Sequence, residues 1–272
     1  MAQMETRSRF QVRLDAARRL FLWRFLSGSR PFYLVSEFPK CGGSWVSQML
    51  SAYLDIPFPR NENVSLLNQP PSLLHGHQLY SRRFRNAVYV LRDGRDVLVS
   101  AYYHALFHNN RNAQWAVDHL RSEINLSDYD NIRLNLPAFI KYMFTVYPRS
   151  LFHFSWSEYV DSVLDNRANV ILYEDLLKDA VGTMANAIRT LTNEEPHLER
   201  IREVCDTFSF NRQANRKPGE EDTTSFLRKG IAGDWKNKFT REACEVFDHY
   251  GGDALIKAGY EADRGWIEEI RD

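Results

Sequence analysis

Short apolar runs alternate along the chain with segments of helical periodicity. Residues 32–38 and 87–91 are aromatic and β-branched, and residues 170–172 form a third short apolar run, which together predict three buried strands. Each run is followed by a turn and then by apolar residues spaced for one face of a helix, as in residues 46–54. Strands that alternate with helices predict an α/β fold, a single domain with a central parallel sheet flanked by helices.

The first 30 residues form a distinct segment. Apolar positions recur there at near-helical spacing, and seven arginines stand against Glu5 and Asp15, a net charge of +5 that leaves −5 on the rest of the chain. This pattern predicts a basic amphipathic helix in residues 1–30, followed by the main domain in residues 31–272. Two hypotheses stay open: the apolar stripe packs on the domain, or it lies on a membrane surface with anionic lipid. The stripe consists of Phe10, Leu14, Ala17, Phe21 and Phe25.

Composition narrows the class of protein. The 35 basic and 35 acidic residues cancel, which argues against a nucleic-acid partner. Three widely spaced cysteines fit a reducing compartment, and no run approaches the roughly 20 apolar residues that cross a bilayer. We therefore expect a cytoplasmic protein, with peripheral contact at a membrane surface through residues 1–30 as the alternative.

Two further segments of the main domain stand out. Residues 104–144 lack a strand pattern and mix aromatic side chains with His and Asn, which predicts helices and loops inserted on the substrate side of the sheet. Residues 212–225 are polar and turn-prone, which predicts a mobile surface loop.

Three turns carry candidate anion-binding residues, because ligands of a parallel sheet bind beyond the carboxyl ends of its strands. After the first strand, Lys40 and the amides of residues 42–44 lead into a helix N-terminus, where unpaired N–H groups favour an anion. A plain glycine turn with Ser44 as the helix cap is the alternative. The second strand ends in Arg92, and two basic residues stand beside glycine at residues 228–230.

A divalent metal is not expected at these turns. The first turn lacks the G-x-x-x-x-G-K-[ST] order of metal-dependent phosphate loops. Arg92 stands where such an enzyme places a metal-binding Asp, and a guanidinium cannot ligate a cation; the adjacent Asp93 is the one exception. We therefore predict that side chains and amides neutralise the anion without a metal.

Together these segments resemble a known family. Residues 39–45, 88–100, 173–177 and 226–230 follow the order of the motifs of cytosolic-type sulfotransferases, which use 3′-phosphoadenosine 5′-phosphosulfate (PAPS) as donor. The resemblance covers about residues 32–248. It implies a nucleotide-binding domain of the phosphate-loop type that transfers a sulfuryl group from PAPS to a hydroxyl of an acceptor and releases adenosine 3′,5′-bisphosphate (PAP).

The resemblance also implies roles for individual residues. The first turn would hold the 5′-phosphosulfate and Trp45 would stack on adenine, whereas Arg92, Ser100 and residues 228–230 would bind the 3′-phosphate. Tyr173 would either lie near the adenine base of the nucleotide or have only a structural role. The full implied set of nucleotide-binding residues is Lys40, Cys41, Gly42, Gly43, Ser44, Trp45, Arg92, Ser100, Tyr173, Phe226, Leu227, Arg228, Lys229 and Gly230.

His77 is the candidate catalytic base. The family pattern aligns its catalytic histidine with His77 and its lysine with His75. An alcohol or phenol that attacks sulfur must lose its proton, and imidazole titrates near neutral pH. Lys40 is the second catalytic candidate and would stabilise the charge that builds on the bridging oxygen. A structural His75, and a metal-binding pair of His75 with His77, remain as alternatives.

Several positions depart from the family pattern. Gly43 and Cys41 replace hydroxyl residues of the first loop, and Glu37 just before it would either repel the donor or contact the acceptor. Arg241 stands where the family's dimer motif has an apolar residue, which leaves dimerisation uncertain. Two other functions stay open, a kinase-like phosphate-loop enzyme and a non-catalytic nucleotide-binding or membrane-surface adaptor. The acceptor we expect is a small-molecule or lipid-like hydroxyl compound.

Overall fold

The computed structural model describes residues 9–27, 32–60, 64–67, 69–109, 112, 114–148 and 153–270. Its centre is a sheet of four strands, β1 (Tyr33–Glu37), β2 (Leu73–Gly76), β3 (Ala87–Leu91) and β4 (Val170–Leu172). All neighbouring strands are parallel and their order is β2-β1-β3-β4. The predicted parallel sheet is confirmed.

One strand was not predicted from the sequence. β2 is only four residues long and lies at the sheet edge, where Tyr33 pairs with Leu73 and Ser36 with Gly76. Its second half holds a histidine and a glycine, so the apolar run is too short to give a strand pattern. Its position matters for function because His75 lies within it and His77 follows its end.

Helices cover the sheet, and its interior positions are fully buried. Each of β1, β3 and β4 leads through a turn, or directly, into a helix, as the periodicity predicts. The helices are α1 (Arg9–Phe21), α2 (Gly43–Leu54), α3 (Gly94–Leu106), α4 (Gln114–Ile124), α5 (Ile132–Thr145), α6 (Trp156–Leu164), α7 (Tyr173–Lys178), α8 (Ala180–Thr192), α9 (Leu198–Thr207), α10 (Phe210–Ala214) and α11 (Arg241–Lys257), with short 3-10 helices at Asp234–Asn237 and Arg264–Glu269.

The start of α3 organises the second turn. The Asp93 side chain accepts a hydrogen bond from the Arg95 amide at 2.9 Å and so caps the helix. Asp96, one turn into the helix, accepts the amides of Gly233 at 2.6 Å and Trp235 at 2.9 Å. Arg92 and Asp96 are both buried, so a surface charge pair at this helix start is ruled out. Instead, Asp96 fastens the C-terminal loop beside the end of β3.

Residues 9–26 of the N-terminal segment are helical as predicted, and residues 1–8 and 28–30 of that prediction lie outside the described residues. The aromatic stripe of this helix does not pack on the domain. Phe10, Phe21 and Phe25 are 73%, 45% and 60% exposed, and Leu14 and Ala17 are also on the solvent side. The hypothesis of a stripe in the core is therefore wrong. The periodic pattern correctly indicated an apolar face, but periodicity alone does not show whether a face is covered.

Other side chains anchor this segment. The last turns, Leu22–Leu26, adopt π-helical geometry and bury Leu22 and Trp23. These two residues form a small second core with Phe32, Leu34, Val64 and Leu74. Arg19 anchors the segment as well. It forms a buried ion pair with Asp15, 2.7 Å long, and donates a hydrogen bond to the carbonyl of Pro59.

We expect Trp23→Ala to lower the free energy of unfolding by about 3–5 kcal/mol, because it empties the second core. Phe25→Ala, two residues away on the exposed face, is the matched control and should change it by less than about 0.5 kcal/mol. Chemical denaturation of both variants measures the difference. Equal losses would contradict the burial pattern described here.

Candidate active site

A cavity of about 1340 Å³ opens at the carboxyl ends of the four strands. Glu37 ends β1, His77 follows β2, Arg92 follows β3 and Tyr173 follows β4, and all four line it. Residues 226–231 of the C-terminal loop form another part of the wall. The three predicted turns thus meet in one place.

The first turn uses left-handed backbone to reach α2. Gly42 has φ = +104° and a Cβ there would lie 2.8 Å from the Tyr173 ring, so only glycine fits. Lys40 also has a positive φ, 77°, and its ammonium lies 3.9 Å from the centre of the Phe226 ring. The Ser44 hydroxyl accepts a hydrogen bond from Arg60 at 2.7 Å. Three of these residues, Lys40, Gly42 and Ser44, line the cavity.

Two residues of the first turn, Cys41 and Gly43, do not line the cavity themselves. Cys41 is fully buried in the main core, and burial raises the pKa of its thiol well above the usual range. The Gly43 amide donates a 2.7 Å hydrogen bond to the Glu37 carboxylate. Neither residue lines the cavity wall, so the structure does not bring Cys41 or Gly43 there with the rest of the predicted set.

The second turn places a buried guanidinium against an aromatic ring. Arg92 lies 4.2 Å from the centre of the Tyr173 ring, and donates to the carbonyls of Lys40 at 3.3 Å and Ile231 at 3.1 Å. It therefore links the first turn to the C-terminal loop. Ser100, on α3, lines the same cavity. Tyr173 also packs edge-to-face on Trp45, with ring centres 6.1 Å apart.

In the C-terminal loop, two basic side chains pair with one buried carboxylate. Asp234 accepts from Arg228 at 2.7 Å and from Lys229 at 2.6 Å. Burial raises the pKa of Asp234, but hydrogen bonds from Lys229 and Arg228 outweigh it and the pKa is lowered. Gly230 has φ = +67° and lies against Phe210. The wall here consists of Phe226, Leu227, Arg228, Lys229, Gly230 and Ile231.

Among the buried nitrogens of cavity-lining residues that lack a hydrogen-bond acceptor within the described part of the chain, three belong to the predicted nucleotide-binding set. They are the Nε1 of Trp45, the Nε of Arg92 and the Nε of Arg228. Each belongs to a different element, and each is a donor. A buried donor without an acceptor is costly, so these positions fit a ligand rich in acceptor oxygens or nitrogens.

His77 is held at the edge of the sheet in a defined orientation. Its Nδ1 lies 3.0 Å from the carbonyl oxygen of Glu37, and its ring centre is 5.3 Å from that of His75. The next residue, Gln78, exchanges two hydrogen bonds with the Ser36 hydroxyl, at 2.7 and 2.9 Å. Burial lowers the pKa of His77, and nearby His75 lowers it further, to about 4. The imidazole is therefore neutral at physiological pH, the form that accepts a proton.

Two residues near this site were not assigned a role from the sequence. The Glu37 carboxylate contacts His75, and Arg60 contacts Ser44. Glu37 did stand out as a departure from the family pattern, but no local signal marks Arg60. Within the described residues, no three or more His, Cys, Asp or Glu side chains lie close enough together to hold a metal ion. Asp93 pairs with Arg95 at 2.7 Å.

The cavity wall also includes a segment that the sequence did not indicate. Arg13, Leu20, Trp23 and Arg24 of the N-terminal segment line the cavity. Among the described residues of the 104–144 stretch, His104 alone does so. The rest of that stretch belongs to α4 and α5, which pack with α3 and α11. Segment 212–225 begins in α10, and Arg216 ties it to the carbonyls of Leu227 and Arg228 at 2.6 and 3.1 Å.

Comparison with known proteins agrees with this architecture. A family model described as the sulfotransferase domain matches residues 70–259. The chain belongs to the sulfotransferase family. Sulfotransferase 1 family member D1 of Rattus norvegicus is 26% identical over 259 residues, covering 79% of this chain and 80% of that protein. Sulfotransferase 2A6 of Mus musculus is 27% identical over 205 residues, or 68% of this chain and 64% of that protein.

Solved structures share the fold at low identity. Mouse sulfotransferase SULT7A1 in complex with PAP has a TM-score of 0.61 at 16% identity, over 93% of this chain and 92% of that chain. Retinol dehydratase, in complex with androsterone and the inactive cofactor PAP, has a TM-score of 0.53 at 18% identity, over 88% and 85%. The predicted family, the predicted α/β fold class and the prediction of a sulfotransferase enzyme are confirmed.

The chain departs from the family pattern at the position of Arg241. Arg241, at the apolar position of the family's dimer motif, pairs within its own chain with Glu245 at 3.1 Å and Glu268 at 2.9 Å. In the part of the chain that the structure describes, no helix is long and apolar enough to cross a membrane.

Proposed function

We propose that this sulfotransferase transfers the sulfuryl group of PAPS to a hydroxyl group of an acceptor, with His77 as the general base. The observation that carries the proposal is the meeting of Lys40, Arg92 and Arg228 with His77 around one cavity. A donor with a phosphosulfate and a separate 3′-phosphate matches cations placed at separate turns. Family membership supports PAPS as the donor and PAP as the product.

The nucleotide is held at its two ends. Lys40, the Gly42 backbone and the Ser44 hydroxyl bind the 5′-phosphosulfate at the start of α2, where the helix dipole favours an anion. Arg92, Ser100 and residues 228–230 bind the 3′-phosphate. The buried donors of Trp45, Arg92 and Arg228 fit this ligand because it supplies the acceptors they lack.

His77 acts on the attacking hydroxyl group, and Lys40 acts on the oxygen that leaves sulfur. His77 takes the acceptor's hydroxyl proton, since a neutral imidazole with Nδ1–H on the Glu37 carbonyl has Nε2 in its proton-accepting form. Lys40 stabilises the negative charge that grows on the bridging oxygen as the S–O bond to the nucleotide breaks. The arrangement requires no divalent metal, because side chains and amides supply the positive charge.

The acceptor is an amphiphilic hydroxyl compound, and the N-terminal segment lies on a lipid surface. Phe10, Phe21 and Phe25 are exposed together on a segment that also carries Arg13 and Arg24. Aromatic side chains beside arginines suit an interface with anionic lipid. Because Arg13 and Arg24 also line the cavity, its mouth would open at that surface. The protein is then cytoplasmic with peripheral membrane contact, and residues 1–30 act as a separate functional unit.

Nucleotide specificity tests the donor site. Without magnesium, PAP should bind more tightly than adenosine 5′-phosphate, and Arg228→Met should reduce that preference about tenfold to a hundredfold because a charge-assisted hydrogen bond is lost. Isothermal titration calorimetry measures both affinities, with Arg189→Met, an exposed arginine, as the control. Equal affinity of the unmodified protein for the two nucleotides would refute the assignment.

Removal of the base separates binding from transfer. His77→Ala should keep PAP affinity within about twofold and lower kcat by about 10²–10⁴-fold, the usual contribution of a positioned base. Radiolabelled PAPS with a panel of hydroxyl acceptors provides the assay, and His249→Ala, at an exposed position of α11, is the control. Transfer that survives in His77→Ala at the normal rate would show that another group removes the proton.

Vesicle binding tests the membrane contact. Co-sedimentation with phosphatidylcholine vesicles that contain phosphatidylserine should fall about tenfold in the double variant Phe21→Ser, Phe25→Ser, because two exposed aromatic side chains no longer enter the lipid. Leu198→Ser, an exposed apolar residue on α9, is the control and should bind normally. Unchanged binding of the double variant, or a stripe that instead holds two copies together in solution, would contradict the proposal.

A further inference from the structure

Three departures from the family pattern meet at one point. The Glu37 carboxylate lies 2.8 Å from Nε2 of His75 through one oxygen and accepts the Gly43 amide at 2.7 Å through the other. These residues come from the end of β1, from β2 and from the start of α2. In the sequence they look like unrelated exceptions, but in the fold they are one cluster.

Gly43 is required by this cluster for space. A Cβ at position 43 would lie 2.7 Å from Cδ of Glu37 and 2.9 Å from Nε2 of His75. Real Cβ atoms essentially never approach other atoms so closely. A hydroxyl residue at this position is therefore incompatible with the Glu37–His75 pair, which accounts for the glycine.

We propose that Glu37 is the positioning residue and charge partner of His77, a role that rests on the proposed function of His77 as the base. Glu37 reaches His77 by two routes. Its carbonyl oxygen accepts the Nδ1–H of His77 at 3.0 Å, and its carboxylate holds His75, whose ring packs edge-to-face on that of His77 at 5.3 Å. The first contact fixes the tautomer and the second fixes the plane of the ring.

The charge on Glu37 is permanent in the working range. Burial raises the pKa of Glu37, but the hydrogen bond with His75, the charges of His75 and His77 and the Gly43 amide outweigh it and bring the pKa to about 2. The neighbouring thiol of Cys41 and phenol of Tyr159, from the first loop and from α6, have pKa values raised well above normal by burial and stay neutral. The basic side chains that line the same cavity are Arg13, Arg19, Arg24, Lys40, Arg60, Arg92, Arg228 and Lys229.

The charge becomes useful when His77 is protonated. In the transfer, the acceptor's proton moves to Nε2 of His77, the acceptor oxygen forms a bond to sulfur, and the S–O bond to the nucleotide breaks. His77 then carries a positive charge in a buried site. The Glu37 carboxylate raises the pKa of His77 and so opposes the effect of burial. This is the part that a carboxylate plays behind the histidine of a Ser-His-Asp triad, although here its side chain acts through His75.

The experiment is an NMR titration of the His77 ring nitrogens, followed through PAP-bound protein between acidic and neutral pH. Because an opposite charge raises the pKa of a histidine, Glu37→Gln should move the His77 midpoint to lower pH by about one unit. In the same variant kcat should fall about tenfold or more, with KM for PAPS unchanged within about twofold. Glu37→Asp keeps the charge, so its His77 midpoint and its kcat should lie between those of Glu37→Gln and those of the unmodified protein.

Two further variants make the test specific. Gly43→Ala keeps the Glu37 charge but displaces the pair, and should lower kcat without removing the carboxylate's effect on the midpoint. Glu174→Gln is the matched control, because Glu174 is also a partly buried carboxylate that accepts a backbone amide, from Asp93 at 3.0 Å. It should leave the His77 midpoint where it is. Circular dichroism confirms that each variant is folded, and the kcat of Gly43→Ala tests the positioning role if Glu37→Gln is not folded.

Three results would overturn the inference. The first is an unchanged His77 midpoint in Glu37→Gln, and the second is an unchanged kcat. The third is a higher nucleotide affinity with kcat unchanged, which would mean that Glu37 competes with the donor for the Gly43 amide. The proposed function fails separately, if His77→Ala still transfers the sulfuryl group. In that case the NMR midpoint still reports whether Glu37 acts on the His77 ring.

Discussion

The site depends on two hydrogen bonds to one carboxylate. Asp96, in the first turns of α3, accepts the amides of Gly233 and Trp235, residues more than a hundred positions away in the chain. These bonds hold the C-terminal loop at the end of β3, where Arg92 reaches the carbonyl of Ile231. Without this attachment, the loop that carries Arg228 would have no fixed relation to the sheet.

Charge within the cavity wall is balanced by buried acids. Asp234 neutralises Arg228 and Lys229, and Asp96 lies 3.8 Å from Arg92. Such pairing makes buried cations tolerable before a ligand binds, since an unpaired buried charge is costly. Within the residues that the structure describes, some donors nevertheless have no acceptor, among them Nε of both arginines. The wall is therefore stable as it stands and still suited to an anion.

One part of the cavity is built differently from the part around Lys40, Arg92 and Arg228. Its wall includes the N-terminal segment, which is anchored by Trp23 against a small core of its own and presents its aromatic stripe outward. One segment thus forms part of the wall and an exposed apolar face. Next to His77, the residues Glu37, Gly43 and His75 form one cluster. Substitution at any one of these three positions changes the space or charge available to the other two.

The sequence by itself determined the elements whose signals are local. Strand–turn–helix order, the glycine turn before α2 and the candidate roles of Lys40, Arg92 and Arg228 all follow from residues close together in the chain. β2 was missed because four residues, half of them polar or glycine, carry too little periodicity. Tertiary structure alone decided that Cys41 points into the core, that the N-terminal stripe is exposed, and that Glu37, Gly43 and His75 touch. Each of these depends on contacts between elements that are far apart in the chain. A local pattern of residues does not specify which of those elements pack together.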